Sequence, residues 1–406
     1  MSIIDEIQNK QAWLEYRAYK LQRGHLCRRE DARLLEFIEN EEYAPLARRM
    51  AEPGCVFAPP EKKLVNKLGS DKKRVVYSYG ETESYILKLM AYLLYRYDAA
   101  LPDNLYSFRR NFGAKRAIRR FAALKDIGGM YCYKADIHDY FNSIDTDILT
   151  SKLKLLLTDD APLYSFLERL LTADEAVFEG ATIREKRGAM AGAPISPFLA
   201  NLYLVDIDRH FEAAGVPYAR YSDDMILFTG TREELAAHRE YILSSASELG
   251  LSMNPDKESI SGPGEPWVFL GVQYSGGTVD LSAATKDKLK GKLSRQARSI
   301  LRWKQRKGAP NEKAMQVFAR AQARRFFDNP ISSELTWARW FFPLLTTSTG
   351  LQELDEYLRQ CMRYTACGHH AKSNYRITYA ELKRLGLRSL VNEYYKYQES
   401  LREGDS

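Results

Sequence analysis

The sequence has no long apolar run. None approaches the roughly 18 residues a membrane span needs, and the best candidate, Tyr85 to Tyr95, is short and carries Lys88. The opening Met1-Ser2-Ile3-Ile4-Asp5-Glu6 lacks the basic start and apolar stretch of a secretory signal. Cysteines are few, odd in number and widely spaced: Cys27, Cys55, Cys132, Cys361 and Cys367. That pattern argues against a disulfide framework. Cys361, Cys367, His369 and His370 lie close together, but no CxxC pair or matching second half accompanies them. They read as free thiols and surface histidines rather than a metal site. Charge of one sign is not in great excess either, with 60 Lys and Arg against 53 acids, a net +7. No internal repeat or low-complexity tract is evident. A soluble, cytoplasmic protein without a membrane partner is the expectation.

What is present is ordinary globular material. The 406 residues are 45% apolar and 28% charged, which excludes a mainly disordered or collagen-like chain. The length exceeds one ordinary domain, so two or three subdomains are expected. Residues 1–60 read as short amphipathic helices, on spacings such as Leu34, Leu35, Ile38 and Tyr43, and end at Pro59-Pro60. A Lys-rich stretch from Glu61 to Arg74 leads into a strand at Val75-Val76-Tyr77. A helix is expected from Glu81 to about Tyr97. The basic stretch from Phe108-Arg109-Arg110 to Arg119-Arg120 is expected to precede another.

Further on, Tyr131 to Ile137 alternates as a strand that ends in Asp136. A helical region follows Asp145. Gly188 to Pro194 is a loop of small residues, and Ser196-Pro197 is expected to cap and open a helix. Pro217 to Gly230 reads as a hairpin with Ser222-Asp223-Asp224 at its tip, followed by a helix from Arg232 to Leu249. A second hairpin, Trp267 to Tyr274 with Thr278 to Leu281, turns on Gly276-Gly277. Everything from Ala283 on reads as helix.

Three acids carry the chemistry. Asp136 ends a strand, and Asp223 and Asp224 sit on a hairpin tip 87 residues later. Adjacent carboxylates repel, and Mg²⁺, a hard cation that tolerates phosphates, relieves the repulsion. Two such ions about 4 Å apart can activate a 3′-hydroxyl and stabilise departing pyrophosphate. Taken alone, an Asp-Asp dipeptide is only a polar turn.

The neighbours decide otherwise. Ala135-Asp136-Ile137-His138-Asp139-Tyr140-Phe141 is followed by Gly192-Ala193-Pro194-Ile195-Ser196-Pro197 through Leu204. Then come Tyr221-Ser222-Asp223-Asp224, Leu251-Ser252-Met253-Asn254-Pro255-Asp256-Lys257 and Phe269-Leu270-Gly271. In this order the segments closely resemble the palm motifs of reverse transcriptases, especially bacterial group II-intron-like enzymes. With the basic segment from about residue 72, the resemblance covers roughly half the chain.

The resemblance implies an α+β right-hand polymerase with an antiparallel palm sheet. It places an N-terminal helical extension at 1–60, fingers at 61–130, a palm with part of the fingers inserted at 131–282, and a helical thumb and C-terminal region at 283–406. Asp136 and Asp223 would hold two Mg²⁺ ions (Mn²⁺ is the alternative), with Asp224 completing the acidic tip and the Ile137 carbonyl as a further ligand. Phe141 would stand as a steric gate that excludes a ribose 2′-hydroxyl and so favours dNTPs; on its own it would be a core phenylalanine. Ala191, Gly192, Pro194 and Ser196 would line the nucleotide, where small residues let backbone approach closely. The family often has Gln where Ala191 stands, so one side-chain contact is missing here. Lys257 would protonate departing pyrophosphate, against the alternative of an ordinary surface lysine. Arg74 and Arg109 would meet the triphosphate, with Lys72, Arg110, Lys115 and Arg116 on the nucleic-acid backbone. Phe269, Leu270 and Gly271 would grip the primer end.

Between Lys286 and Lys307 ten cations face only Asp287, while Leu289, Leu293, Ala297 and Ile300 recur at helical spacing. Such a run is ordinarily a solvated face. Beside a polymerase palm it reads as a helix laid along nucleic acid, with Lys286, Lys290, Arg295, Arg298 and Arg302 on phosphates. The later aromatics, Trp337, Trp340, Phe341, Phe342 and Tyr394-Tyr395, read as thumb core before base-stacking platforms.

Ser196-Pro197 departs from diversity-generating retroelements, and no Val-Thr-Gly of the retron kind follows the catalytic hairpin. Leu382 to Val391 resembles the tails of defence-linked bacterial enzymes. The chain is thus most similar to the "unknown group", defence-associated reverse transcriptases. That implies a structured non-coding RNA template, a cDNA product and a role against phage. The alternatives are an untemplated or protein-primed DNA polymerase of the abortive-infection type, and a non-catalytic RNA-binding scaffold.

Overall fold

Contacts divide the chain into two units, Met1–Gln22 with Arg28–Glu265, and Arg23–Cys27 with Pro266–Ser406. The structure is a computed structural model that describes residues 1–66, 73–328 and 336–404. Lys72 lies outside the described residues.

The first unit begins with short helices held by caps and aromatics. Ser2 and Asp5 form a capping box for Ile3–Ile7, and Asp160 accepts from the Ser2 hydroxyl and the Ile3 N–H. Trp13, Phe37 and Tyr43 pack as one ring cluster. The unit carries β1 (Glu61–Asn66), β2 (Lys73–Ser78), β3 (Tyr131–Asp136), β4 (Glu175–Phe178), β5 (Ala181–Arg184), β6 (Tyr218–Tyr221), β7 (Asp224–Thr229) and β8 (Ser259–Ser261). Two four-stranded sheets result, in the orders β2-β1-β4-β5 and β6-β7-β3-β8. All pairings are antiparallel except β1 with β4.

The Lys-rich stretch expected only to lead into a strand is itself partly strand, because β1 pairs with β2 along its length. The basic stretch expected to precede a helix in fact contains it, since Ala114–Ala122 includes Arg119 and Arg120. Asp145 caps the helix Thr146–Leu156 through the N–H groups of Asp147 and Ile148. The helix Arg232–Glu248 packs on β3 and β7.

The second unit opens with β9 (Trp267–Phe269), β10 (Val272–Ser275) and β11 (Thr278–Leu281), an antiparallel meander. The single strand expected from Trp267 to Tyr274 is broken. Leu270 and Gly271 both adopt positive φ, +49° and +87°, and make a two-residue turn. Gly276-Gly277 makes the other. The helices Ala283–Lys307, Asn311–Phe326, Thr349–Cys367 and Leu390–Gly404 follow. The meander is bonded to them: the Gly271 carbonyl accepts from Ser282 and Thr285, and Asp280 accepts from the Gly350 N–H. Phe326, Trp337, Phe341, Phe342 and Tyr394 pack together as core.

No helix among the described residues is long and apolar enough to cross a membrane. The five cysteines are free thiols. His369 Nδ1 meets the Cys367 carbonyl, and the His370 ring stacks on Tyr364.

Candidate active site

The acids are assembled by strand register. β3 pairs with β7 so that Asp136 stands opposite Asp224, and residues directly opposite share one face of the sheet. β6 pairs with β7 so that Tyr221 stands opposite Asp224. Ser222 and Asp223 are therefore left as the turn, with Ser222 at φ +61°. A cleft of about 590 Å³ opens beside them. It is lined by Asp136, Ile137, Asp223 and Lys257, together with Arg74, Phe141, Ala191, Gly192, Pro194 and Ser196. Sequence reasoning named all ten, from five separate segments. Asp224 does not line the cleft; it is the first residue of β7.

The electrostatics are those of crowded carboxylates. Burial, then the charge of Asp136, pushes the Asp223 carboxyl above the usual aspartate range. Burial pushes Asp224 up to about 6 although Lys134 opposes the rise; the Lys134 ammonium lies 3.7 Å from it. Lys257 Nζ donates to Asp136 Oδ2 at 2.6 Å. Burial works against the Lys257 charge, but the bond and charge of Asp136 outweigh it and hold the ammonium more firmly protonated than usual.

Ile137 bridges to Met253 through bonds made by its neighbours: the His138 N–H to Ser252 O, and the Asn254 N–H to Asp136 O. In that wide-pair pattern the Ile137 carbonyl points away from Met253, toward the flank of β3 that faces β7. The donors on offer to a metal are thus carboxylate and carbonyl oxygens, which suit Mg²⁺. No group of three or more His, Cys, Asp or Glu side chains among the described residues is already gathered closely enough to hold an ion. The donor chemistry and the mutual repulsion fit a hard divalent cation.

The turn that carries Asp223 is held by residues that sequence reasoning missed. Arg220 is fully buried and paired with fully buried Asp208 through two bonds. The same guanidinium donates to the carbonyls of Ser222 and Asn201. The Ser107 hydroxyl accepts from the Ser222 N–H and donates to Asn201. Both backbone groups of the positive-φ residue are therefore gripped. The available signal was an arginine in the otherwise apolar Tyr218-Ala219-Arg220-Tyr221, since a buried charge demands a partner.

The loop opposite is set by close backbone approach. The Ala191 carbonyl accepts from the Tyr77 N–H at 2.7 Å. Gly192 has φ +100°, and a Cβ there would stand 3.0 Å from the Tyr77 carbonyl oxygen. Ser196 does not cap its helix as expected. It is the first helical residue, and its hydroxyl donates to the Met190 carbonyl instead. Behind Phe141, a Cβ on Gly188 would stand 2.3 Å from the Phe141 carbonyl oxygen, and the Ala189 N–H donates to that oxygen.

Other expected contacts lie elsewhere. Arg109 does not line the cleft. It is buried, and its guanidinium donates to the carbonyls of Asp98, Leu101, Pro102 and Leu105. Asp98 belongs to the short helical stretch Leu94–Ala100 and the other three carbonyls to the turn that follows it, so the Arg109 guanidinium is committed to tying that turn together. Arg110 lies over the rings of Tyr19, Tyr92 and Tyr95, and Arg116 over Phe112.

In the second unit, Phe269 is fully buried, while Leu270 and Gly271 form the turn. Lys286 and Lys290 both pair with Glu353. Arg295, Arg298 and Arg302 are exposed on the same helix.

A carboxylate on a central strand, opposite another on a hairpin and beside a nucleotide-sized cleft, is an arrangement suited to two-metal nucleotidyl transfer. Residues 65–274, more than half of the chain, match the family "Reverse transcriptase (RNA-dependent DNA polymerase)", and the chain belongs to that family. No curated protein sequence matches. Among solved structures, the chain is similar to apo telomerase from Candida tropicalis truncated from its C-terminal domain. That match has 13% identity and a TM-score of 0.46, and covers 56% of each chain. It is also similar to telomerase from Candida albicans in complex with a TWJ fragment of telomeric RNA. There the identity is 13% and the TM-score 0.43, covering 86% of this chain and 66% of that one. The chain thus spans less than two thirds of the length of either.

Proposed function

We propose that the protein is an RNA-directed DNA polymerase that copies a dedicated, structured non-coding RNA into cDNA, in bacterial defence against phage. The observation that carries the polymerase reading is the register that sets Asp136 opposite Asp224 with Asp223 on the adjoining turn, at the mouth of the cleft. The dedicated RNA, the defence role and the cytoplasmic setting rest on the sequence resemblance to the defence-associated enzymes.

In this reading Asp136, Asp223, Asp224 and the Ile137 carbonyl would hold Mg²⁺, which when bound supplies the charge that activates a 3′-hydroxyl and neutralises pyrophosphate. The chain's own residues do the rest. Arg74 holds the triphosphate of a dNTP. The Phe141 ring excludes a 2′-hydroxyl. The Ala191 to Ser196 loop lies under the new base pair. Lys257, already protonated on Asp136, donates to the leaving group. Residues 61–130 act as fingers, 131–282 as palm and 283–406 as thumb. Arg295, Arg298 and Arg302 hold nucleic-acid phosphates.

The test is sequencing of nucleic acid co-purified with wild type and with the Asp223→Asn/Asp224→Asn double variant. One enriched RNA in both, with complementary DNA in wild type alone, is the expected result. DNA matching no RNA, or DNA covalently bound to protein, overturns templated copying. RNA bound equally by both, with no DNA in either, overturns the polymerase reading in favour of a scaffold.

A further inference from the structure

The second unit holds a cavity of about 280 Å³ formed within residues 360–375. Two cations, Arg363 and Lys372, line it beside His370 and the amides of Gln360 and Asn374, and no carboxylate does. Arg363 is 6% exposed. Its Nε donates to the Ile377 carbonyl, but Nη1 has no hydrogen-bond partner. No carboxylate lies within ion-pair distance of Arg363 among the described residues; nearby Glu356, whose charge interacts with Arg363 at longer range, accepts from Arg359, Gln360 and the Tyr375 hydroxyl. A buried guanidinium normally has its donors filled, and this one keeps donor capacity unused at the cavity wall.

The remaining wall is aromatic. The Arg363 guanidinium lies 4.6 Å from the Tyr375 ring centroid, and Tyr375 is 55% exposed. The loop that closes the cavity is fixed from within. Asn374 Nδ2 donates to the His369 carbonyl, and the His370 ring stacks on Tyr364. A fixed site that offers two strong cations, a histidine and an open aromatic face matches an anion joined to a flat ring. Phosphate supplies acceptors for the Arg and Lys donors, and a base supplies the face for Tyr375.

We propose that this cavity binds a nucleoside 5′-phosphate, with Arg363 and Lys372 on the phosphate and the base against Tyr375. It is a second nucleotide site, built without any residue of the catalytic cleft. The ligand chemistry is common to a free mononucleotide and to the 5′-phosphorylated end of an RNA strand.

The experiment titrates the full chain, in EDTA, with AMP, adenosine, and a short RNA carrying either a 5′-phosphate or a 5′-hydroxyl. Wild type is compared with Lys372→Ala and Tyr375→Ala, both at exposed positions, and primer extension is measured in parallel as a control for folding. AMP affinity is expected to fall about tenfold in each variant, with extension unchanged, and adenosine to bind at least about tenfold more weakly than AMP. Tighter binding of the 5′-phosphorylated RNA than of AMP supports an RNA end as the source, and the reverse supports a free nucleotide. AMP affinity equal in wild type and both variants overturns the proposal, as does adenosine binding as well as AMP.

Discussion

The Arg220 guanidinium donates to the carbonyl of Ser222 at 3.0 Å while its other edge closes on Asp208, and neither charged side chain has any exposure. The pair thus sits directly beneath the turn that carries Asp223. Removing one member of a buried pair leaves the other charge unmatched, which costs about 3–5 kcal/mol. Arg220→Met is therefore expected to lower stability by that amount. Adding Asp208→Leu should recover part of it, since both charges are then gone while the buried Tyr218 hydroxyl loses its acceptor. Primer extension should stay depressed in the double variant, in kcat more than in KM for dNTP, because nothing then holds Ser222. Urea melts and steady-state kinetics check this. A double variant with wild-type kcat would show that the pair serves stability alone.

Asp224 makes the site costly in the absence of a divalent cation. Its carboxyl titrates near 6 in the folded chain against about 3.8 ordinarily. At low pH both folded and unfolded forms are protonated and no penalty exists. As pH rises through 3.8 the unfolded form ionises first, so the fold loses stability until about pH 6, and the loss is constant above that. At about 1.4 kcal/mol per pH unit, the penalty is on the order of 3 kcal/mol. Asp224→Asn in EDTA should accordingly melt higher than wild type at pH 7.5 and approach it below about pH 3, while extension is lost. Mg²⁺ should narrow the gap at pH 7.5. A variant that melts lower than wild type at pH 7.5 would refute the argument.

The parts legible in the sequence were those whose chemistry is local. Strand alternation around Asp136 and the two strands flanking Ser222-Asp223 marked where the acids sit, and the resemblance to reverse-transcriptase palm motifs marked the small-residue loop and Lys257 as cleft residues. The illegible parts depend on tertiary partners. Arg109 has the composition of a phosphate ligand, but its guanidinium is committed to four carbonyls from residues 98–105. Arg220 and Asp208 stand twelve residues apart and meet only because a helix packs against β6. The turn at Leu270 was hidden because leucine rarely adopts positive φ.

Phe141 lines the cleft, and its backbone is backed by Gly188, where no Cβ fits. Phe141→Val should shorten the wall without disturbing that contact. Incorporation of rNTP relative to dNTP is expected to rise on the order of tenfold or more, with dNTP extension largely kept. Gly188→Ala should move the ring by pushing the Phe141 carbonyl, and so change the same ratio. Competition assays with paired dNTP and rNTP measure both. An unchanged ratio in Phe141→Val would remove the gate assignment.

The helix Ala283–Lys307 sorts its cations by partner. Lys286 and Lys290 are drawn to Glu353, whereas Arg295, Arg298 and Arg302 face solvent. A phosphate contact releases counterions, so each one lost reduces the steepness of the salt dependence by about one. Arg295→Ala/Arg298→Ala/Arg302→Ala should weaken binding of an RNA–DNA duplex across all sequences and flatten its log–log salt slope by about two to three. Lys286→Ala/Lys290→Ala should change the slope by about one at most, because the single Glu353 carboxylate offsets one of the two ammonium charges. Equal slope changes in the two variants would show that Glu353 does not withhold its lysines from nucleic acid.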